Sequence, residues 1–317
     1  MKKKIKKFPK TLFVMIAVIA VIAVCLTGLF VYNRIMLKKD AVLLKKHVGQ
    51  MVEVDGHDMC VYSEGQGDHT IVFMSGWGEP SPIYDFKALY RQLSDDYKIV
   101  VIEKFGYGFS DEVEGRRSFY TILRQDREAL QKAGITGPFV LCPHSLSGVE
   151  AILWAQKYPN EVEAIVGLDM MVAKADIQSK YKVLNDLAMD ANSIANKFGL
   201  LRFIDPDKTG ILTEEEERTV TAISCKVTAN STVRNEREID NIKEVSVAIY
   251  STSLPSVPTI QYITEEDNEN TWIVSAQKLA DASKNGQVVK LDCDHCVHRY
   301  EYERIGKDIK DLISGLE

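Results

Sequence analysis

The sequence predicts an α/β protein with a mostly parallel, doubly wound sheet. Its apolar residues are grouped in short runs rich in Val, Ile and Phe, and stretches with helical periodicity separate these runs. Runs that are apolar at every position are typical of parallel strands covered by helices on both faces, whereas strands with one face in water alternate. The regular exchange of the two patterns along the chain therefore argues against an all-β fold.

The predicted elements follow in order along the chain. Two short alternating segments on either side of Gly56 predict a hairpin, Met51–Val54 and Asp58–Tyr62. The remaining predicted strands are Thr70–Met74, Tyr97–Ile102, Phe139–Cys142, Val162–Leu168, Pro258–Ile263 and Gln287–Leu291. The predicted core helices are Ile83–Leu93, Phe119–Ala133, Val149–Tyr158 and Glu301–Leu312.

Residues 172–255 interrupt this alternation because they contain no clear strand pattern. Their charged helical patterns cover Lys180–Phe198, Thr213–Ala229 and Asn235–Ser251. A helical block inserted between two strands predicts a lid over one edge of the sheet. We therefore expect a core built from residues 51–171 and 256–317, with residues 172–255 as an inserted helical lid or cap.

Residues 1–36 predict a membrane anchor. The 22 residues from Thr11 to Tyr32 carry no charge, and as a helix they would extend about 33 Å, which matches a bilayer core. Six lysines within the first ten residues predict a cytoplasmic N-terminus, so a juxtamembrane linker at 37–50 and the catalytic body would lie outside the cytoplasm. The alternative is a cleaved signal peptide, which would release a secreted protein.

The charge distribution and the cysteines exclude other classes of protein. Residues 1–46 hold eleven Lys or Arg and one Asp, so the rest of the chain carries a net charge of −16, which argues against a nucleic acid partner. Five cysteines outside the anchor are an odd number and do not indicate a disulfide framework. Cys293 and Cys296 have C-x-x-C spacing, but no second pair lies at zinc-site distance, so no metal site is predicted.

A strand, a sharp turn and a helix meet at Ser145. The strand Phe139–Cys142 runs into Pro143-His144-Ser145-Leu146-Ser147-Gly148, and helical periodicity follows. Such a turn lifts a serine hydroxyl above the sheet and places the N-terminus of a helix beside it, where N–H groups stabilise negative charge. The alternative is an incidental turn between a strand and a helix.

On these residues the chain resembles the α/β-hydrolase superfamily over about residues 50–317. The family pattern G-x-S-x-G corresponds to Pro143-x-Ser145-x-Ser147, so neither flanking glycine is kept. The segment Glu103–Asp111 is similar to the family's D-R-x-G-x-G-x-S turn, which is a positional marker. The resemblance implies that Ser145 is the catalytic nucleophile.

The resemblance also implies an oxyanion hole. Ser75-Gly76-Trp77-Gly78 follows a predicted strand at the place of the family's His-Gly loop, with Ser75 in place of the histidine. The backbone N–H groups of Trp77 and Leu146 would then bind the oxyanion. The alternative reading of the Gly-Trp-Gly segment is a tight turn alone.

The serine needs a base, and six histidines are available. The loop after Gln287–Leu291 resembles the family's G-H-x-x-H loop before the last helix, which places His295 at the catalytic position. His298 is the alternative base. If it is not the base, we expect its ring to have a structural role and to pack beneath the loop.

An acid must orient the histidine. Asp267 follows the strand that ends at Ile263, which is the usual acid site of the family. Asp169 follows the strand after the nucleophile helix, which some family members use instead. Glu265 and Glu266 are further candidates for the acid. For all three acids after that strand, the alternative is a loop side chain that is exposed to solvent and has no catalytic role.

Together these residues predict a membrane-anchored serine hydrolase that cleaves a small-molecule acyl ester through an acyl-enzyme, without a metal or organic cofactor. A serine nucleophile argues against haloalkane dehalogenase and epoxide hydrolase activity. In the superfamily that this chain resembles, enzymes with those activities use an aspartate as the nucleophile. Aminopeptidase or carbon–carbon bond hydrolase activity on the same triad is the enzymatic alternative. A non-catalytic binding module on the same fold is the alternative of another class.

Overall fold

The described residues form one sheet of eight strands. The computed structural model describes residues 10–173, 179–228, 230–264 and 270–316. The strands are β1 (Gln50–Val54), β2 (His57–Glu64), β3 (Thr70–Met74), β4 (Lys98–Glu103), β5 (Phe139–Pro143), β6 (Val162–Leu168), β7 (Thr259–Thr264) and β8 (Gln287–Leu291).

The strand order is β1-β2-β4-β3-β5-β6-β7-β8. The pairs β1–β2 and β2–β4 are antiparallel, and every later pair is parallel. The predicted doubly wound α/β fold is confirmed. Because the chain crosses from β4 past β3 to β5, the loops after β3 and β5 diverge and open a crevice at the carboxyl edge of the sheet, where such folds bind ligands.

Helices cover both faces of the sheet. The helices outside residues 172–255 are α1 (Lys10–Leu43), α2 (Pro82–Asp85), α3 (Lys87–Tyr90), α4 (Phe119–Lys132), α5 (Ser147–Lys157), α10 (Asn270–Ala282), α11 (Val297–Tyr300) and α12 (Tyr302–Ser314). One apolar layer packs α4 and α5 on the sheet around the fully buried Trp154. The other packs α2, α3 and α12 around the fully buried Phe86. In β3 and β5 nearly every residue is apolar because helices cover both faces of these central strands.

In the described part of the chain, four α-helices lie between β6 and β7, where the sequence predicts the lid: α6 (Ser179–Lys197), α7 (Glu214–Val227), α8 (Ser231–Glu236) and α9 (Ile239–Tyr250). We call these helices and their connections the lid. The single helix predicted over Asn235–Ser251 is in fact divided between α8 and α9. At this break Arg237 and Glu238 leave the helical conformation, and the preceding residue, Glu236, is buried and binds the Lys104 ammonium 2.5 Å away. The domain boundaries remain a prediction.

Helix α1 is the one helix of the described residues that is long and apolar enough to cross a membrane. It does not end with the predicted anchor at residue 36 but continues to Leu43, into the predicted linker. The continuation is stabilised by contacts with the lid, because Asn33 and Asp40 of α1 are buried and both bind Arg202. The basic residues 1–9 lie outside the described part of the chain.

Candidate active site

Ser145 occupies the turn between β5 and α5, at the carboxyl edge of the sheet. Its φ of 51° lies in the left-handed region, which is costly for a residue with a side chain and is found at functional turns. The helix after the turn lies very close to the segment that follows β6, since a Cβ atom on Gly148 would stand 2.4 Å from the Met171 backbone oxygen. The glycine after Ser147 therefore provides the clearance that the turn requires.

Ser147 stands where the family has a glycine, and the structure accommodates its hydroxyl. The Oγ atom is fully buried and lies 2.7 Å from the Met74 carbonyl oxygen and 2.8 Å from the His144 carbonyl oxygen. Its proton therefore has acceptors on both sides. Pro143 is the last residue of β5, so its missing N–H removes no hydrogen bond from the interior of the ladder.

His295 lies directly beside Ser145. Its Nε2 atom is 2.9 Å from the Ser145 Oγ atom, and its Nδ1 atom is 2.7 Å from a carboxylate oxygen of Asp169. A carboxylate at Nδ1 favours the tautomer with its proton on that nitrogen, which makes Nε2 the atom that accepts the serine proton. The loop after β8 thus carries the imidazole across to the turn after β5.

Asp169 follows β6, the strand next to β5 in the sheet. It is fully buried and has a φ of 46°. Besides His295, the carboxylate accepts hydrogen bonds from the Thr264 hydroxyl at 3.0 Å and the Thr264 backbone N–H at 3.4 Å. These bonds hold the acid in one orientation against the imidazole.

The structure thus brings together Ser145, His295 and Asp169. Asp267, the acid that the family resemblance favours, lies outside the described residues, as do Glu265 and Glu266. The signal in the sequence that favours Asp169 is its position directly after the strand β6, whose end is fixed by burial.

The loop after β3 lies against the Ser145 turn. A Cβ atom on Gly76 would stand 2.8 Å from the Ser145 Cβ atom and 2.9 Å from the His144 Nδ1 atom, so only glycine fits there. Among the described residues, the backbone N–H groups of Trp77 and Leu146 donate to no protein acceptor. The role of these two N–H groups as oxyanion donors remains a prediction.

The lid supports this loop through side chains that the sequence analysis did not select. The Trp77 indole N–H donates to the Val233 carbonyl oxygen at 2.7 Å, and the Arg237 guanidinium lies 4.4 Å from the centre of the indole ring. The Tyr107 hydroxyl accepts from the Gly78 N–H at 3.1 Å and donates to Glu236 at 2.8 Å. The segment Glu103–Asp111 thus supports the loop after β3, residues 75–78, which is the predicted oxyanion loop.

Two further histidines pack beneath His295. The Nε2 atom of His144 lies 3.2 Å from the backbone oxygen of His295, and burial, with His298 and His295 nearby, lowers the pKa of His144 well below its usual value. A neutral ring with its proton on Nε2 can donate to that oxygen. His298 is fully buried, and its Nε2 atom is 2.8 Å from Asp85. Among the described residues no contact joins His298 to Ser145, and the ring packs beneath the loop.

An acidic group adjoins the site on the lid side. Burial and the charge of Asp85 raise the pKa of Glu79 to about 7, although Arg299 and His295 oppose the shift. Burial also raises the pKa of Asp85, but His298 and Arg299 overcome this effect and the pKa lies below its usual value. Both carboxylates bind the Arg299 guanidinium, at 2.7 Å from Glu79 and 2.5 Å from Asp85.

The C-x-x-C pair lies in the same loop as His295. Cys293 and Cys296 are free thiols. Burial raises the pKa of Cys293 to about 11, and burial and Glu79 raise that of Cys296 far above its usual value. Both thiols therefore stay protonated at neutral pH. The described residues contain no group of three or more His, Cys, Asp or Glu side chains that would hold a metal.

Comparisons with known proteins agree with this architecture. No protein-family model matches the chain. The uncharacterized protein YbdG of Bacillus subtilis is 32% identical over 321 residues, which cover 96% of this chain and 97% of YbdG. Among solved structures, the haloalkane dehalogenase DbeA from Bradyrhizobium elkani has a TM-score of 0.64 at 15% identity, covering 84% of this chain and 97% of the dehalogenase.

A thioesterase domain from the curacin biosynthetic pathway is similar to the same extent, with a TM-score of 0.60 at 15% identity over 83% of this chain and 98% of the domain. At such identities the solved structures establish the fold. The near full-length similarity to YbdG establishes a closer kinship. The chain has the α/β-hydrolase fold, and it belongs to one family with the uncharacterized protein YbdG of Bacillus subtilis.

Proposed function

We propose that this protein is a serine hydrolase that cleaves a carboxylic acyl ester. One observation carries the proposal: the imidazole of His295 lies 2.9 Å from the Ser145 hydroxyl on one side and 2.7 Å from the Asp169 carboxylate on the other. This is the arrangement in which a serine, a weak nucleophile by itself, is activated by a base that a buried acid orients.

In the proposed first step, the Ser145 Oγ atom attacks the substrate carbonyl carbon while His295 Nε2 takes the hydroxyl proton. The N–H groups of Trp77 and Leu146 bind the resulting oxyanion. When the carbonyl re-forms, the bond to the alcohol breaks, and the alcohol leaves with the proton from Nε2. Water then attacks the acyl-enzyme with the same histidine as base, which releases the carboxylic acid and restores the serine.

Asp169 is the acid of this proposal. Its oxygen lies at the Nδ1 atom of His295, where a carboxylate stabilises the imidazolium that forms during each proton transfer. Its complete burial strengthens this interaction relative to one in water.

The nucleophile supports acyl transfer as the class of reaction. The residue at the turn is a serine, whose covalent intermediate with an acyl group is an ester that water can cleave. The similarity to a thioesterase domain is in keeping with an acyl substrate.

The test is a panel of soluble 4-nitrophenyl esters of increasing chain length, with the matching anilides and a carbon–carbon bond substrate, assayed with the wild-type chain and Ser145→Ala. The proposal expects ester turnover that Ser145→Ala abolishes. Faster anilide or carbon–carbon cleavage would instead establish one of the alternative activities. No turnover of any substrate, together with reversible binding of an ester, would indicate a binding module.

We also propose that α1 anchors the protein as a single-pass helix, with the lysine-rich N-terminus in the cytoplasm and the catalytic body outside. The support is the apolar character and length of α1 and the positive charge before it. The full chain should stay in the membrane pellet after a carbonate wash, and protease added to intact cells should cleave the body. Recovery of the intact chain in the wash would contradict the anchor.

A further inference from the structure

The proposed anchor helix binds the lid immediately after its apolar segment. That segment ends at Tyr32, and the next residue, Asn33, is almost completely buried. The Asn33 amide donates to the backbone oxygen of Asn196 at 2.7 Å and to that of Lys197 at 3.2 Å. The last turn of α6 is therefore attached to α1 at the end of the proposed membrane span.

Arg202 attaches the segment after α6 to α1 a second time, through contacts that extend over two turns of α1. Its Nε–H donates to the Asn33 side-chain oxygen at 2.8 Å, and its guanidinium pairs with Asp40 at 2.5 Å. The Arg202 and Asp40 side chains are only 5% and 11% exposed. Asp40 lies seven positions after Asn33, so both lie on one face of α1. The segment after α6 is thus held along this face by buried polar contacts.

These contacts determine how far this part of the lid lies from the bilayer. Asn33 directly follows the apolar segment, and Asp40 is about 10 Å further along the axis at roughly 1.5 Å per residue. Phe198 reaches back further still, since its ring centre lies 6.4 Å from that of Phe30, inside the apolar segment. Residues 196–202 therefore lie at the membrane surface if α1 spans the membrane.

The lid exposes large apolar side chains at this level. The most exposed are Ile194 at 56%, Leu200 at 44%, Phe203 at 70% and Ile204 at 57%. A cluster of exposed apolar side chains usually marks a surface that contacts a protein or a membrane. We call residues 194–204 the lid edge.

Basic residues accompany the lid edge. Lys197 lies within it and Arg34 lies next to Asn33, and both are exposed. Exposed apolar residues beside positive charges match the chemistry of a bilayer surface that contains anionic lipids. The continuity of the lid edge with α1 makes a bilayer, rather than a soluble partner, the surface that meets it.

A cavity of about 280 Å³ lies behind the lid edge. Leu201 and Ile204 of the edge form part of its wall, together with Leu212 and Val220 of the lid. Glu79, which directly follows the oxyanion loop, forms another part. The same segment of the lid thus borders the membrane surface on one side and a cavity near the candidate active site on the other.

From these contacts we infer that the lid edge lies in the membrane interface and that the substrate is an acyl lipid drawn from the bilayer. The inference rests on the proposed anchor and deepens the proposed esterase activity. The attachment of α1 through Asn33 and Arg202 keeps the lid edge at the depth of the lipid headgroups. A long acyl chain would leave the bilayer there and pass beneath the lid.

The first test measures the position of the lid edge without reference to activity. The full chain is reconstituted in phosphatidylcholine vesicles containing phosphatidylglycerol, with or without lipids brominated on their acyl chains. The variant Phe203→Trp places a fluorophore on the edge. Its matched control is Val247→Trp, at a lid residue that is 71% exposed on α9, a helix that packs on α4 and α5.

Brominated lipids should quench the emission that Phe203→Trp adds to the wild-type signal and leave that of Val247→Trp unchanged. Equal quenching of both, or quenching of neither, would overturn the inference. Whether the chain floats together with the vesicles is a separate measurement of membrane anchoring by α1. Vesicles that float without the protein would overturn the anchor and the inference together.

The second test concerns the substrate. In the same vesicles, Phe203→Ser should lower turnover of a long-chain ester embedded in the bilayer several-fold and leave turnover of a soluble short-chain ester unchanged, whereas Val247→Ser should change neither. An equal loss on both substrates, or no loss on either, would overturn the substrate claim. A wild-type chain inactive on both esters would refute the proposed esterase activity and with it the acyl lipid substrate, while quenching at residue 203 would still establish the membrane contact.

Discussion

The indole Nε1–H of Trp77 donates a 2.7 Å hydrogen bond to the backbone oxygen of Val233. This bond joins the loop after β3 to α8 of the lid across 156 residues of sequence. Tyr107 makes a parallel connection, because its hydroxyl lies between the Gly78 N–H and the Glu236 carboxylate. The proposed oxyanion donor on Trp77 therefore lies in a loop whose position depends on the lid.

Tyr107→Phe tests this dependence. The change leaves the Gly78 N–H and the buried Glu236 oxygen without their partner, so we expect the free energy of unfolding to fall by about 1–3 kcal/mol. A looser oxyanion loop should also lower kcat on the order of tenfold with little change in KM, since the oxyanion forms only after binding.

The matched control is Tyr262→Phe. The Tyr262 hydroxyl also donates to a carboxylate, Asp308 at 2.8 Å, but in a part of the sheet away from the oxyanion loop. This variant should lose stability and keep kcat. If the two variants lowered kcat equally, the effect of Tyr107 would be one of general stability and the positioning role would fail.

The orienting acid is tested by substituting each candidate. Asp169→Asn should lower turnover by about 10²–10⁴-fold, because an amide at the Nδ1 atom of His295 stabilises the wrong tautomer. Asp267→Asn should leave turnover near the wild-type value. The reverse ranking, measured as kcat on the same ester, would transfer the role to the loop after β7.

The two histidines of the last loop should behave differently. His295→Ala removes the base and should lower kcat by about 10³-fold or more. His298→Ala removes a buried ring that binds Asp85 and packs on Phe86, so we expect it to lower the melting temperature while kcat falls much less. Equal losses of kcat in the two correctly folded variants would contradict the assignment of the base.

The buried Glu103 should make stability depend on pH. Burial raises its pKa from 4.5 to about 7 in the folded protein. Between these values the folded chain keeps a proton that the unfolded chain has released, so the free energy of unfolding falls as the pH rises from about 4.5 to about 7. The whole shift corresponds to at most about 3 kcal/mol.

Glu103→Gln should flatten that dependence, because the amide resembles the protonated acid at every pH. Part of the slope should remain, since burial also raises the pKa of Asp126, to about 6, and that of Glu79, to about 7. The measurement is denaturant unfolding at several pH values, with Glu215→Gln, a change at an exposed residue of α7, as control. An unchanged slope in Glu103→Gln would show that Glu103 is ionised throughout.

The strands and the turn at Ser145 could be predicted because their signals are local. A strand covered on both faces is apolar at nearly every position, as in Thr70–Met74, and all five of its residues are buried. A serine between such a strand and a helix, with Gly148 close behind, requires no information from elsewhere in the chain. Patterns of this kind reflect the immediate neighbours of each residue.

The remaining features depend on residues far apart in the sequence. Asn33 and Asp40 look like the polar end of an anchor, and only their contacts with Arg202 explain why α1 continues to Leu43. The choice between Asp169 and Asp267 likewise depends on a distance to His295, which chain order does not provide. Glu236 resembles a surface residue of a helix, and its buried pairing with Lys104, 132 positions away, cannot be read from the local pattern.

The most direct test of the account is to map the residue that a fluorophosphonate modifies. In this reaction the serine oxygen forms a bond to phosphorus and fluoride leaves, so only an activated hydroxyl reacts at low reagent concentration. Peptide mass mapping of the full chain should place a single phosphonyl group on Ser145, and the correctly folded Ser145→Ala and His295→Ala variants should remain unmodified. Modification of another serine, such as Ser147, or undiminished labelling of Ser145→Ala would contradict the account.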